Sequence, residues 1–152
     1  MTLVLDHLDV THLFTLHATS SSHFVDAGPG GPRVFVRFTQ GRFEGDRLSG
    51  SLNPGACHEE IQVRSDGILI ADVELLLKTH DGADILMWYR ATSVPSPTGL
   101  SIVNFPIFTT SDERYSWINS VQAITLQSVD NGTVGPKFVY EINHPAARGE
   151  SG

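Results

Sequence analysis

A side-chain pattern of period two runs through most of this chain and leaves little room for helix. LDVTHLFTLHAT (residues 8–19) places Leu8, Val10, His12, Phe14, Leu16 and Ala18 on one side. Asp9, Thr11, Thr15 and His17 fall on the other, with Leu13 out of step. No helical stripe survives the threonines, so an extended strand accounts for the run. VFVRFT (34–39) is a second β-branched and aromatic run. RLSGSL (47–52) sets Leu48 and Leu52 on one face with Gly50 between them, where a strand can bend sharply.

The clearest stretch is IQVRSDGILIADVELLLKTHDGADILMWYR (61–90). Its punctuators Asp66-Gly67 and Asp81-Gly82 divide three strand-like runs into a meander of hairpins. RYSWINSVQAITLQ (114–127) and KFVYEI (137–142) read as strands joined across Asn131-Gly132. Asn131-Gly132-Thr133 also fits a glycosylation sequon, but Asn-Gly is a strong hairpin turn signal, and the turn is the reading adopted. RATSVPSPTGL (90–100), with two prolines, reads as a long surface or mouth loop. The expectation is an all-β chain of eight to nine strands, in one antiparallel barrel or sandwich. A single domain spans 1–152, with its core at about 8–143 and a flexible tail at 144–152. GRFEGDRLSGSLNPG (41–55) then supplies glycines for tight turns and for corners where a sheet bends to close.

Composition narrows the functional classes. A net charge of −7 with only ten basic residues argues against nucleic-acid binding. The single cysteine, Cys57, permits no internal disulfide. MTLVLDHLDVTH has acids and histidines, no basic leader and no long apolar core, so neither a signal peptide nor a membrane span is expected, and the expected location is cytoplasmic. Seven histidines include no His-x-His, no His-Glu-x-x-His and no partner cysteine pair, so no metal is expected. No glycine-rich phosphate loop precedes a helix, so no cofactor is expected.

An ordered set of short matches resembles the DUF3237 family, a family of unknown function. It begins with Gly41-x-Phe43-Glu44-Gly45-x-x-Leu48-x-Gly50 and Pro54-Gly55. It continues through Asp66-Gly67, Asp72, Thr79-x-Asp81-Gly82-Ala83-x-Ile85, Pro106-x-Phe108, Arg114-Tyr115-x-Trp117-Ile118-Asn119 and Val139-Tyr140-Glu141-Ile142. The resemblance implies a closed barrel similar to that of allene oxide cyclases (calycin-like), with a cavity inside. It also implies kinship with cofactor-free cyclases of natural-product pathways, which close an ether ring by adding a hydroxyl across an alkene. Three stretches depart from the family pattern. After Pro-Gly stands Ala56-Cys57-His58-Glu59-Glu60 in place of a glycine pair, an acid and a tryptophan. Glu74-Leu75 replaces Arg-Tyr, and Ile102-Val103-Asn104-Phe105 replaces an aromatic-Arg-Thr run.

Several residues could carry chemistry in such a barrel. On the strand from Ile68 to Thr79, Leu69, Ala71, Val73, Leu75 and Leu77 make an apolar face. Asp72 and Glu74 share the other side, roughly 7 Å apart. In a cavity that pair would split into an acid and a base; the alternative is a solvated outer face. Glu44 is either a general base at the rim or a carboxylate pinning its own turn. His58, set beside carboxylates, could relay protons or could be an exposed loop histidine. Substrate-binding candidates are Arg37, for a phenolate or carboxylate, and the aromatic set Trp88, Tyr89, Phe105, Tyr115, Trp117 and Tyr140 with Asn119; core packing is the alternative for the aromatics.

Two functions stand side by side. One is a cofactor-independent cyclase or isomerase acting on a small apolar, oxygenated polyketide- or meroterpenoid-like substrate. The other is a barrel that carries a lipophilic ligand unchanged; a scaffolding subunit is a weaker third. No membrane or nucleic-acid partner is expected. Sheet edges could pair two copies into a homodimer, though the sequence fixes no number.

Overall fold

Alternation becomes geometry in the computed structural model, which describes residues 7–143. The tail expected at 144–152 lies outside the described residues. Among these, eleven strands follow in chain order. They are β1 (Val10–Asp26), β2 (Pro32–Glu44), β3 (Ser49–Leu52), β4 (His58–Val63), β5 (Leu69–Thr79), β6 (Asp84–Ser93), β7 (Leu100–Asn104), β8 (Ile107–Thr109), β9 (Ala123–Asp130), β10 (Thr133–Val134) and β11 (Lys137–Ile142). The ladders are antiparallel. The sheet order is β10-β9-β11-β1-β2-β3-β5-β6-β8, with β4 pairing β2 and β5, and β7 pairing β9.

Closure happens at one segment. β7 pairs with β9, from Leu100↔Val129 to Asn104↔Thr125, while β8 pairs with β6, from Leu86↔Thr109 to Trp88↔Ile107. Between them Pro106 has no N–H to give a ladder, so pairing changes hands there. The two ends of the sheet are thereby joined into a closed antiparallel barrel.

The count exceeds the eight to nine strands expected because three short strands, β7, β8 and β10, form in stretches outside the runs read as strands. Pro106 divides 100–109, and Gly135-Pro136 divides β10 from β11. A second correction concerns the run from Arg114: Glu113–Ser120 is a 3₁₀ helix, and the strand begins only at Ala123. Asp112 caps that helix by accepting the Arg114 backbone N–H at 3.0 Å, a local bond that outcompetes extension. The loop read at 90–100 is shorter, since β6 runs to Ser93 and β7 starts at Leu100. The Asn131-Gly132 turn has positive φ at both residues, 48° and 80°, as a two-residue hairpin requires.

A bulge sets the inner face of β1. Its register against β11 shifts between His12 and Phe14, so that Leu13, Phe14 and Leu16 are all buried while His12 is exposed. Phe14 then meets Phe43 and Phe108 at centroid distances of 5.5 and 6.1 Å. With Leu77, Ile85 and Met87, also fully buried, these rings fill one end of the barrel. No helix among the described residues is long and apolar enough to cross a membrane.

Two glycines of the 41–55 stretch are fixed by close approach. A Cβ on Gly45 would stand 1.9 Å from the carbonyl oxygen of Leu13, and one on Gly50 would stand 2.0 Å from that of Lys78. Each contact is backbone and cannot rotate away. Gly50→Ala is therefore expected to lower the unfolding free energy by about 2–3 kcal/mol, read by chemical denaturation. Ser51→Ala, on the exposed side of the same strand, should change it by less than about 0.5 kcal/mol.

Candidate active site inside the barrel

Beyond the phenylalanine-filled end, the inward-facing positions shrink and the interior opens into a hollow of about 300 Å³. β1 contributes Leu16, Ala18, Ser20 and Ser22 to its wall, and β2 contributes Val34, Val36 and Phe38. Three ionisable side chains enter this largely apolar space: Glu59 from β4, Tyr89 from β6 and Lys137 from β11. Register explains the grouping. Glu59 pairs with Val73 and Val73 with Tyr89, so Glu59 and Tyr89 stand in one row two strands apart. Lys137 pairs with Leu16 on the opposite arc of the wall. Its Nζ lies 4.4 Å from the centroid of the Tyr89 ring, a cation–π contact.

Desolvation dominates the electrostatics here. Burial pushes the Lys137 ammonium down to about 8, and the Glu59 charge offsets part of that shift. Burial raises the Glu59 carboxyl, with Lys137 opposing. The Tyr89 phenol is raised by burial first and by Glu59 second, so it stays protonated as a hydrogen-bond donor. Among the described residues Glu59 and Lys137 do not close into a direct ion pair, although each feels the other's charge. An ammonium moved down and a carboxyl moved up lie closer to each other in acidity than in water, which suits proton exchange with a ligand.

The residues singled out from sequence land elsewhere, with one exception. Tyr89 lines the hollow. The Asp72–Glu74 pair points outward, because β5 buries its odd-numbered side. Asp72 accepts hydrogen bonds from Arg90 Nε and Nη2 at 2.8 and 3.0 Å, which holds its carboxyl below the usual range. Glu74 faces water opposite His58, whose Nδ1 is 3.7 Å from its Oε2, and both are exposed. Glu44 is exposed at the end of β2, and no hydrogen bond to its carboxylate occurs among the described residues. Arg37 and His58 border a groove on the outer wall. Trp88 pairs in register with the outward Glu74 and is half-buried on that outer side. Phe105, beside the Pro106 crossover, is 62% exposed. Tyr140 also faces outward, edge-on to His12 at 5.7 Å.

Tyr115, Trp117 and Asn119 belong to the 3₁₀ helix and brace the closed end. Asp81 Oδ1 accepts from Thr79 Oγ1 at 2.6 Å and from Tyr115 Oη at 2.8 Å, and Arg114 Nη1 stands 3.1 Å from Asp81 Oδ2. These bonds, the Thr79 bond first, hold the Asp81 carboxyl below its usual range. Asn119 bonds the backbone of Thr110 on both sides, at 2.7 and 3.1 Å. Arg47 lies 3.5 Å over the Trp117 ring and 3.3 Å from Glu141. The stretches that carry the family resemblance thus supply much of the frame.

Glu59 and Lys137 escaped sequence reasoning. The parity of HEEIQV offered a signal for Glu59, since it shares a side with Ile61. Lys137 had none: Phe138, Tyr140 and Ile142 make the greasier side of β11, and only pairing with Phe14 and Leu16 shows that Lys137 and Val139 face in.

Comparison with known proteins agrees with this architecture. The family described as "Protein of unknown function (DUF3237)" matches residues 8–142. A hydroalkoxylation enzyme, phnH of Penicillium herquei, is 29% identical over 113 residues, covering 73% of this chain and 68% of the relative. A β-barrel-like protein of Acinetobacter baumannii superposes with a TM-score of 0.78 at 21% identity, over 93% of this chain and 100% of that one. A structure of an enzyme from Penicillium herquei gives a TM-score of 0.70 at 21% identity, over 94% and 100%.

The electrostatic coupling is open to direct measurement. With Lys137 depressed to about 8 from 10.5, the unfolded chain holds more protons across that interval, so stability should rise with pH through it. Lys137→Met should abolish that rise. Glu59→Gln removes the charge that supports the ammonium and should move the Lys137 titration lower, read by NMR of ¹³C-labelled lysine.

Proposed function

Because this chain belongs to the DUF3237 family, whose model spans residues 8–142, we propose that it is a cofactor-independent cyclase. It adds a hydroxyl of a small apolar, oxygenated natural product across an alkene of the same molecule. The observation that carries this reading is the presence of Glu59 and Lys137, both displaced toward neutrality, inside a hollow otherwise lined mainly by apolar side chains. The kinship with a relative named as a hydroalkoxylation enzyme supports it.

The chemistry balances without an oxidant or reductant. The hydroxyl O–H breaks, a C–O and a C–H bond form, and the product is an isomer of the substrate. Glu59 as carboxylate takes the hydroxyl proton, and the Lys137 ammonium stabilises the charge growing on that oxygen. The ammonium then gives a proton to the alkene carbon, and exchange between Glu59 and Lys137 restores both groups. Tyr89 donates a hydrogen bond to a second oxygen of the ligand. The apolar wall folds the substrate so that hydroxyl and alkene meet, a proximity effect of up to several kcal/mol. A passive carrier gains nothing from two desolvated ionisable groups, each of which costs stability to bury.

With a panel of alkenyl phenols and no added cofactor, the wild type should yield cyclic ethers. Glu59→Gln and Lys137→Met should each reduce turnover by about 10²- to 10⁴-fold. Asp72→Asn and His58→Ala, on the outer face, should stay near wild type. Loss of turnover in the outer-face variants with retention in the inner ones would overturn the assignment.

A further inference from the structure

Of ten basic residues in this chain, only Lys78 and Lys137 are lysines. Lys78 is exposed and tied to Asp84 at 3.0 Å. Lys137 is 5% exposed, its Nζ over the Tyr89 ring, with no hydrogen-bond acceptor for it among the described residues. If the hollow needed only a fixed positive charge, arginine would serve better: it is always protonated and grips oxyanions with two parallel N–H groups. Lysine alone can also present a neutral amine, which is a nucleophile.

We propose that the Lys137 amine condenses with the carbonyl carbon of an aldehyde or ketone ligand to form a Schiff base. Nζ attacks the carbonyl carbon and the C–N bond forms as the carbonyl oxygen becomes a hydroxyl. That oxygen then leaves as water, and a protonated C=N bond remains. The Glu59 carboxyl supplies the proton for departing water and recovers one from nitrogen. The iminium carries the same single positive charge as the ammonium it replaces, so the balance with Glu59 is unchanged. A hollow of about 300 Å³ has room for a small ring on that carbon. At a value of about 8, about a tenth of Lys137 is already neutral amine at pH 7.

This inference rests on the reading of the hollow as catalytic, and it names the substrate class. That class is a hydroxylated molecule whose alkene is conjugated to an aldehyde or ketone. The iminium withdraws electrons from that alkene. The internal hydroxyl gives its proton to the Glu59 carboxylate and its oxygen adds to the far carbon. The Glu59 carboxyl returns that proton to the near carbon of the resulting enamine, which restores the iminium. Water then returns the carbonyl and frees Lys137.

The test incubates the full chain with benzaldehyde, reduces with sodium borohydride, and maps the benzylated amines by peptide mass spectrometry. Labelling of Lys137 should exceed that of Lys78 by about tenfold. It should vanish in Lys137→Met and persist in Lys78→Met. Equal labelling of both lysines, or an unlabelled Lys137 in protein with an unchanged melting temperature, overturns the proposal. Turnover of an alkenyl phenol lacking any carbonyl separates the two readings. Turnover without a trapped Lys137 leaves the cyclase standing and removes the Schiff base. A trapped Lys137 without turnover on any substrate does the reverse.

Discussion

The buried Lys137 and the half-buried Glu59 are drawn out of bulk water by a wall that closes at one kinked segment, 100–109. An open sheet would leave both groups hydrated and near their ordinary values. The closed barrel removes much of that hydration, which moves the ammonium down to about 8 and the carboxyl up from its ordinary value. Pro106 is the hinge of this arrangement, because it ends pairing with β9 and lets the chain continue on β6.

The two ends of the barrel divide the work. One is solid: Phe14, Phe43 and Phe108 interlock, and the Thr79–Asp81–Tyr115–Arg114 cluster ties the 3₁₀ helix to the β5–β6 turn. The other is hollow, lined by serines, aliphatic side chains, Phe38 and Tyr89 around Glu59 and Lys137. Burying Lys137 and Glu59 costs stability that the packed end offsets. Many of the residues that carry the resemblance belong to the packed end and its corners.

How much of this was legible depended on whether one strand sufficed. The alternation of β5 announced its buried side correctly, and Asn131-Gly132 announced its turn, because each signal is local. Faces fixed by neighbours were harder. On β11 the greasier side faces out, and on β1 a one-residue bulge reverses the parity at Leu13. The alternation of β5 left Asp72–Glu74 with a cavity or a solvated reading, and the solvated one holds, with Arg90 across the ladder. The 3₁₀ helix at Glu113–Ser120 hid behind aromatic residues typical of strands. Tyr89 stood in the sequence only as one of a group of aromatics, and its place on the wall of the hollow follows from its register with Glu59 through Val73. Lys137 opens its strand just after Pro136, where no pattern precedes it.

The most direct test of the central claim is the colour of 4-nitrophenol, whose phenolate is yellow, in the presence of the protein. A hollow holding a desolvated ammonium should bind it saturably and keep it ionised at a pH where the free phenol is colourless. Lys137→Met should lose that ionisation. Absence of saturable binding, or a bound phenol that titrates as it does in water, would contradict the account.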